Sequence, residues 1–291
     1  VVTYSNYIFA GTQDSGIYYT TNDGGNWTQT SLNNKTVNAL VRRNSHILAG
    51  TSNNGIYYSS NDGTNWIQSS LNDITVNSLY VLDSNIFAGT VVGGVYISTN
   101  NGVNWIQSGL TFTNINSFTS VGSVLYTGTD NQGVYFTTNN GLNWTQTILN
   151  NRTIYTLIFN SGSIFAGTSG SGVYFSKDYG ASWSQLNDGL GNQTTKGISY
   201  SGRYLVAGTD SKGIYRRYLP LADTTTRWLM QVKSQISTVY DNENFAGVAD
   251  SASEGFDSQF DLPEPPSSPS NYISTYFSHP EWGVITGSDF A

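Results

Sequence analysis

The chain has 291 residues, a formal net charge of −7 and no cysteine; 14% of residues are aromatic and only 11% charged. Lack of cysteine excludes disulfide frameworks and thiolate metal sites or nucleophiles, without identifying a compartment. The acidic balance, with no basic run beyond Arg42-Arg43 and Arg216-Arg217, argues against nucleic acid, whose backbone needs several convergent cations. No apolar stretch approaches the ~20 residues of a membrane-spanning helix.

In chain order, the first unit opens at Val1 and ends in TTNDGGNW, at Trp27. Trp66, Trp105, Trp144 and Trp183 then follow at a fixed 39-residue spacing, closing SSNDGTNW, STNNGVNW, TTNNGLNW and SKDYGASW. The second unit shows the grammar of all. VNALVRR (37–43), HILAGT (46–51), GIYYSS (55–60) and NWIQSS (65–70) are short runs rich in β-branched and aromatic residues, split by Gly/Asn/Asp/Ser turns. Each predicts a strand. An Ala/Thr-Gly-Thr step recurs at Gly11, Gly50, Gly89, Gly128, Gly167 and Gly208, and a Gly-Ile/Val-Tyr step at Tyr18, Tyr57, Tyr96, Tyr135, Tyr174 and Tyr215.

Units this small cannot bury an apolar face alone and must stack. Four-stranded units of about 40 residues predict an all-β chain closed into a β-propeller, with an open β-solenoid as the competing arrangement. Six blades are counted, seven if residues beyond 232 or before Val1 add one. The sixth lacks the tryptophan turn, and its fourth strand is expected at Arg227 to Val232, around Trp228.

All six prolines lie from Pro220 onward, where the repeat stops. The expected division is a propeller over 1–232 and a Pro-rich connector with a small β/irregular C-terminal module over 233–291, a fragment of a larger sandwich being the alternative. Within it, Asp250, Asp257 and Asp261 offer oxygen ligands for a Ca²⁺ ion.

The repeated turn has a mechanical reading. Asn22, Asn61, Asn100, Asn139 and Asp178 can accept backbone N–H bonds across it, and Gly24, Gly63, Gly102, Gly141 and Gly180 suit a positive φ. The hydroxyls of Thr20, Ser59, Ser98, Thr137 and Ser176 can brace it, with each tryptophan packed between sheets. The phrase Ser/Thr-x-Asn/Asp-x-Gly-x-x-Trp resembles the Asp-box, or BNR, repeat of sialidases, xyloglucan-cleaving propellers, sortilin-type receptors and photosystem-assembly propellers. The resemblance covers about residues 1–219, with Asn in four of five boxes where the family has Asp. It implies a propeller in which the box is structural and lies away from the functional face. The C-terminal stretch, through Asp241-Asn242, Gly255-Phe256-Asp257, Asp261, Pro263-Glu264-Pro265-Pro266 and His279-Pro280-Glu281-Trp282, resembles modules of secreted, surface-associated bacterial proteins. That resemblance, the weakly charged surface and the start at Val1 without Met lead us to expect a processed, extracellular or cell-surface bacterial protein.

Catalysis finds little support in the residue types. A sialidase needs three converging arginines, and Arg42, Arg43, Arg152, Arg203, Arg216, Arg217 and Arg227 recur at no common strand position. A glycosidase needs paired carboxylates about 5–9.5 Å apart; Asp130 and Asp210, at matching positions two blades apart, are the one candidate pair. No catalytic residue is assigned.

The loops joining second to third strands, and those between blades, vary where the scaffold does not. Asp14, Asn54, Asp130, Gln132, Arg152, Asp210 and Lys212 are the candidate binding residues. The expected function is a non-enzymatic structural or protein-interaction propeller, its partners other surface proteins or copies of itself. Carbohydrate binding is the alternative, and glycan cleavage a distant third.

Overall fold

The computed structural model describes residues 1–190, 194–210, 212–219 and 283–284. Their 24 strands form six four-stranded sheets, each an antiparallel meander. Among the described residues there is no helix.

The second sheet serves for all. It runs β5 (Val37–Arg43), β6 (His46–Thr51), β7 (Ile56–Ser59) and β8 (Ile67–Gln68). Leu40 pairs with Ala49, Ala49 with Tyr57, and Tyr57 with Gln68. Because side chains alternate across a strand, Ile47 and Ala49 pack with Phe9 and Ile17 of the first sheet. Leu48 packs with Val76 and Ile86 of the third sheet. The central strand is thus covered on both faces, which is why HILAGT reads as a continuous apolar run. Burying each Ile, Leu or Phe in such a joint contributes about 1.5–3 kcal/mol.

The first strands are β1 (Val2–Tyr4), β5, β9 (Val76–Leu82), β13 (Ile115–Val121), β17 (Ile154–Asn160) and β21 (Thr195–Ser201). Successive members of this set pack on one another, so they line the axis while the two-residue fourth strands lie outside.

In the first five sheets the tryptophan turn closes the opposite end from the loop between second and third strands. In the second sheet Ser59 Oγ donates to Asn61 Oδ1 (3.0 Å) and accepts from Gly63 N (2.9 Å). Asn61 Oδ1 also accepts from Asn65 N (3.0 Å). Gly63, at φ 77°, is pressed against the previous sheet: a Cβ there would lie 2.8 Å from Phe9 Cε1. Trp66 donates its indole N–H to Gly63 O (3.1 Å) and packs on the core shared by the first and second sheets.

In the sixth sheet, β22 (Tyr204–Thr209) and β23 (Gly213–Tyr218) continue from β21. The strand beside β23 is β24 (Gly283–Val284), pairing Val284 with Tyr215 and Gly283 with Arg216. The segment expected there, Arg227 to Val232 around Trp228, lies outside the described residues. Without a tryptophan turn to hold the next stretch of chain, the free backbone edge of β23 is met by a strand distant in sequence. Asp250, Asp257 and Asp261 also lie outside the described residues.

Candidate functional site

Five of the six first strands share one irregularity, β1 alone pairing in unbroken register. Val37 pairs with Thr51 and Ala39 with Gly50, so Asn38 is an extra residue, a β-bulge. The same register shift leaves Asn77, Asn116, Tyr155 and Lys196 unpaired in sheets three to six. A bulge re-aims a side chain out of the pleat, and here it forms a belt around the axis. Asn38, Asn77 and Asn116 each donate Nδ2–H to the carbonyl that starts the next first strand: Val76 O (3.0 Å), Ile115 O (3.4 Å) and Ile154 O (3.0 Å). These amides are staples between blades.

The belt changes character at sheets four to six. The Lys196 ammonium stands 3.8 Å from the centre of the Tyr155 ring, a cation–π pair. A hydrogen bond with Ser169, then one with Lys196, holds the Tyr155 phenol below its ordinary range, while the Asp130 carboxylate opposes that shift. Asp130 is itself engaged: Oδ2 accepts from Asn114 Nδ2 and Oδ1 from Asn116 Nδ2, both at 2.9 Å. The result is an acid, a phenol and a cation side by side at the mouth.

A second regularity lies in the loops that rim this mouth. Asp14, Asn53 and Asn131 sit at φ 58–63° in the turn between second and third strands. Each is clasped by a threonine of the following interblade loop: Thr36 to Asp14 Oδ1 (2.7 Å), Thr75 to Asn53 Oδ1 (2.8 Å), Thr153 to Asn131 Oδ1 (3.1 Å). Within the interblade loops Asn34, Asp73 and Asn151 also take a left-handed backbone, at φ 52–54°. Asn and Asp tolerate that conformation because their short polar side chains bond locally.

The joint between sheets three and four breaks both rules. Val92 (φ 70°) stands where the turn has Asp or Asn, and Phe112 (φ 56°) where the interblade loop does. Their side chains are 64% and 84% exposed. A left-handed backbone costs an ordinary side chain about 1–2 kcal/mol, and a β-branched or bulky residue there is an outlier. Asn114 replaces the clasping threonine. Its Oδ1 accepts from Val92 N (2.7 Å) while its Nδ2 donates to Asp130. One asparagine therefore ties the strained backbone of Val92 to the polar cluster.

The residues singled out from the loops divide accordingly. Asp130 belongs to the cluster. Asp14 is held in a clasp. The backbone carbonyls of Asn54 and Gln132 accept from Gln68 Nε2 (2.9 Å) and Gln146 Nε2 (2.6 Å), part of a Trp-x-Gln brace. Arg152 donates to Ser171 Oγ (2.6 Å), its guanidinium 5.1 Å from the Tyr174 ring centre. Asp210 and Lys212 are exposed at the sixth sheet. Asn116, Tyr155 and Lys196 were missed, although one polar residue recurs at the second position of each first strand; Val92, Phe112 and Asn114 lie in the variable loops that the sequence pointed to, but their departure from the Asn/Asp and threonine pattern was not read.

No family model matches the chain, and no curated protein matches it in sequence. Among solved structures it is similar to an ancestral GH74 enzyme, at 21% identity and TM-score 0.62, with 73% of this chain covering 34% of that one. It is also similar to the extracellular domain of BT4673 from B. thetaiotaomicron, at 19% identity and TM-score 0.62, with 75% covering 32%. A third is YCF48 bound to D1 peptide, at 12% identity and TM-score 0.58, with 72% covering 73%. The chain thus spans about a third of the first two. At these identities the likeness concerns the fold, and with the six repeated sheets it makes the chain a β-propeller.

Proposed function

We propose that the chain is a non-enzymatic, extracellular or cell-surface propeller that binds a protein segment on the face bearing the loops between second and third strands. One observation carries this reading: Val92 and Phe112 are exposed in a backbone conformation that penalises them, at positions where three of the four sister joints have Asn or Asp. Strain of this kind persists where it serves a site, and an exposed aromatic beside satisfied polar groups suits an interface anchor. The cluster of Asp130, Asn116, Tyr155 and Lys196 supplies donors, an acceptor and a ring face for a peptide lying across the mouth. That a protein of the same fold, YCF48, has been solved with a peptide bound supports the mode. The likeness to the BT4673 extracellular domain supports the compartment. Asp130 has both oxygens occupied by amides, which speaks against its serving with Asp210 as an acid/base pair.

The test is to select binders from a displayed library of extended peptides and to titrate a selected peptide against wild type, Phe112→Asn and Tyr155→Ala, with a glycan array in parallel. Peptide binding weakened at least tenfold by both substitutions is the expected result. Glycan binding that Tyr155→Ala removes and Phe112→Asn leaves intact would replace this reading with carbohydrate recognition.

A further inference from the structure

At four successive joints one residue of the interblade loop is pinned by its carbonyl to the sheet just completed. Lys35 O accepts from Gly16 N (2.8 Å), Ile74 O from Gly55 N (2.8 Å), Thr113 O from Gly94 N (3.1 Å) and Arg152 O from Gly133 N (2.8 Å). From that anchor a long side chain reaches forward to a tyrosine on the third strand of the next sheet. Ile74 packs on the same core as Tyr96. Arg152 places its guanidinium 5.1 Å from the Tyr174 ring centre and donates to Ser171 Oγ at 2.6 Å.

The joint between sheets three and four lacks the reaching side chain. Thr113 stands where Ile74 and Arg152 do, is buried at 5% exposure and ends at its γ atoms. Tyr135, the counterpart of Tyr96 and Tyr174, is half-buried against the core of these two sheets. Among the described residues no cation or second ring stacks on it. Gln132 holds the place of Ser171, the acceptor for Arg152; it is exposed, and its Oε1 accepts only from the Tyr135 hydroxyl, at 3.2 Å. Ring and acceptor are both present, and the group that joins them in the fifth sheet is not.

We infer that the partner supplies that group: an arginine laid along Tyr135 with its N–H groups toward Gln132 Oε1. The inference rests on the peptide-binding reading and names a residue the peptide must carry. The occupant follows from the sister joints. Where the covering residue is Ile74, the acceptor position is Gly93, which offers no polar side chain; where it is Arg152, the position is Ser171. Gln132 places the fourth sheet with the second case. Charge points the same way, since the chain carries a net −7 and Asp130 lies two residues before Gln132. A guanidinium can stack flat on a ring and still donate from its edge, which an ammonium cannot. Phe112, next to Thr113 in the chain and 84% exposed, then meets an apolar neighbour of that arginine.

The experiment starts from peptides selected on the full chain from a displayed library of extended sequences. One selected peptide is titrated beside forms whose arginine is replaced by lysine or alanine, each against wild type, Gln132→Ala and Thr113→Arg. Gln132 is exposed, so Gln132→Ala keeps the fold. Thr113→Arg supplies the guanidinium from within; should circular dichroism show it unfolded, Gln132→Ala decides alone. The expected result is an arginine recurring at one place among the selected peptides. Its replacement by alanine should weaken binding to wild type at least tenfold, and by lysine at least threefold. The alanine loss should shrink at least threefold on either variant. Peptides without a recurrent arginine, or an alanine loss equal on all the proteins, would overturn the inference and leave peptide binding standing. A library that yields no binder would overturn the peptide reading and this inference with it.

Discussion

Asn116 holds two neighbours with one amide: its Nδ2 donates to Asp130 Oδ1 at 2.9 Å and to Ile154 O at 3.0 Å. The first bond fixes the acid of the cluster; the second staples the fourth sheet to the fifth. Asn116→Ala leaves a carbonyl and a carboxylate oxygen without that donor, which should cost about 1–3 kcal/mol. Urea denaturation should show a lower midpoint at unchanged slope, and peptide binding should fall with it. A midpoint equal to wild type would mean that water replaces the amide at no cost.

The strained pair gives a prediction of opposite sign. Val92→Asn and Phe112→Asn restore the residue type that tolerates a left-handed backbone, so each should stabilise the fold by about 1–2 kcal/mol while reducing partner binding. Gains in stability at the expense of function are what a binding site on a strained backbone predicts. Thermal melts beside peptide titrations read both halves; a destabilised variant would show that Val92 and Phe112 pack better than their exposure implies.

Strands, turns and blade number were legible because each rests on local chemistry repeated at fixed spacing: alternation in HILAGT, the hydroxyl-amide-glycine turn, the tryptophan. The bulge was not, since nothing local distinguishes VNAL with an extra residue from VNAL in register; only pairing with Thr51 and Gly50 reveals it. The site was hidden for a related reason. Val92 and Phe112 look like ordinary loop residues until the φ of Asn53 and Asp73 shows what their positions demand. The strand beside β23 could not be read at all, because Gly283 and Val284 reach it from a distant stretch.

Two tyrosines should titrate in opposite directions. Burial raises the Tyr126 pKa, with a smaller effect from Tyr179, whereas bonds with Ser169 and then Lys196 lower that of Tyr155. In ring-carbon NMR of ¹³C-tyrosine-labelled protein, Tyr155 should ionise below, and Tyr126 above, the ordinary value of 10.0. Ser169→Ala should move Tyr155 back toward it and leave Tyr126 in place. If Ser169→Ala shifts neither, the belt at sheets five and six is looser than described.

The fifth turn alone has a carboxylate, Asp178, where the other four have the amide of Asn22, Asn61, Asn100 or Asn139. Asp178 accepts from Ser182 Oγ and N and from Ser176 Oγ, and these bonds lower its pKa below 3.8, the Ser182 side chain contributing most. A carboxyl with a depressed folded pKa adds stability above its unfolded value and loses it as pH falls through the folded one. Wild type should therefore lose melting temperature on acidification below pH 3.8 more steeply than Asp178→Asn, with the two converging at the acid end. Parallel curves would mean the turn is indifferent to the charge.

Equivalent glycines in the tryptophan turns can weigh the joint itself. Gly24 and Gly102 share a left-handed backbone, at φ 90° and 83°. They differ in surroundings: a Cβ on Gly102 would lie 2.2 Å from Leu48 Cδ2, whereas on Gly24 its nearest contact is Trp27 Nε1 at 3.8 Å. Gly24→Ala should then cost only the backbone strain, about 1–2 kcal/mol. Gly102→Ala should add about 1–3 kcal/mol for overpacking against the second sheet. The difference, measured on dilute protein, reports how tightly the preceding sheet is pressed on the turn. Equal penalties in dilute protein would show that the turn's own geometry, and not the joint, sets the cost.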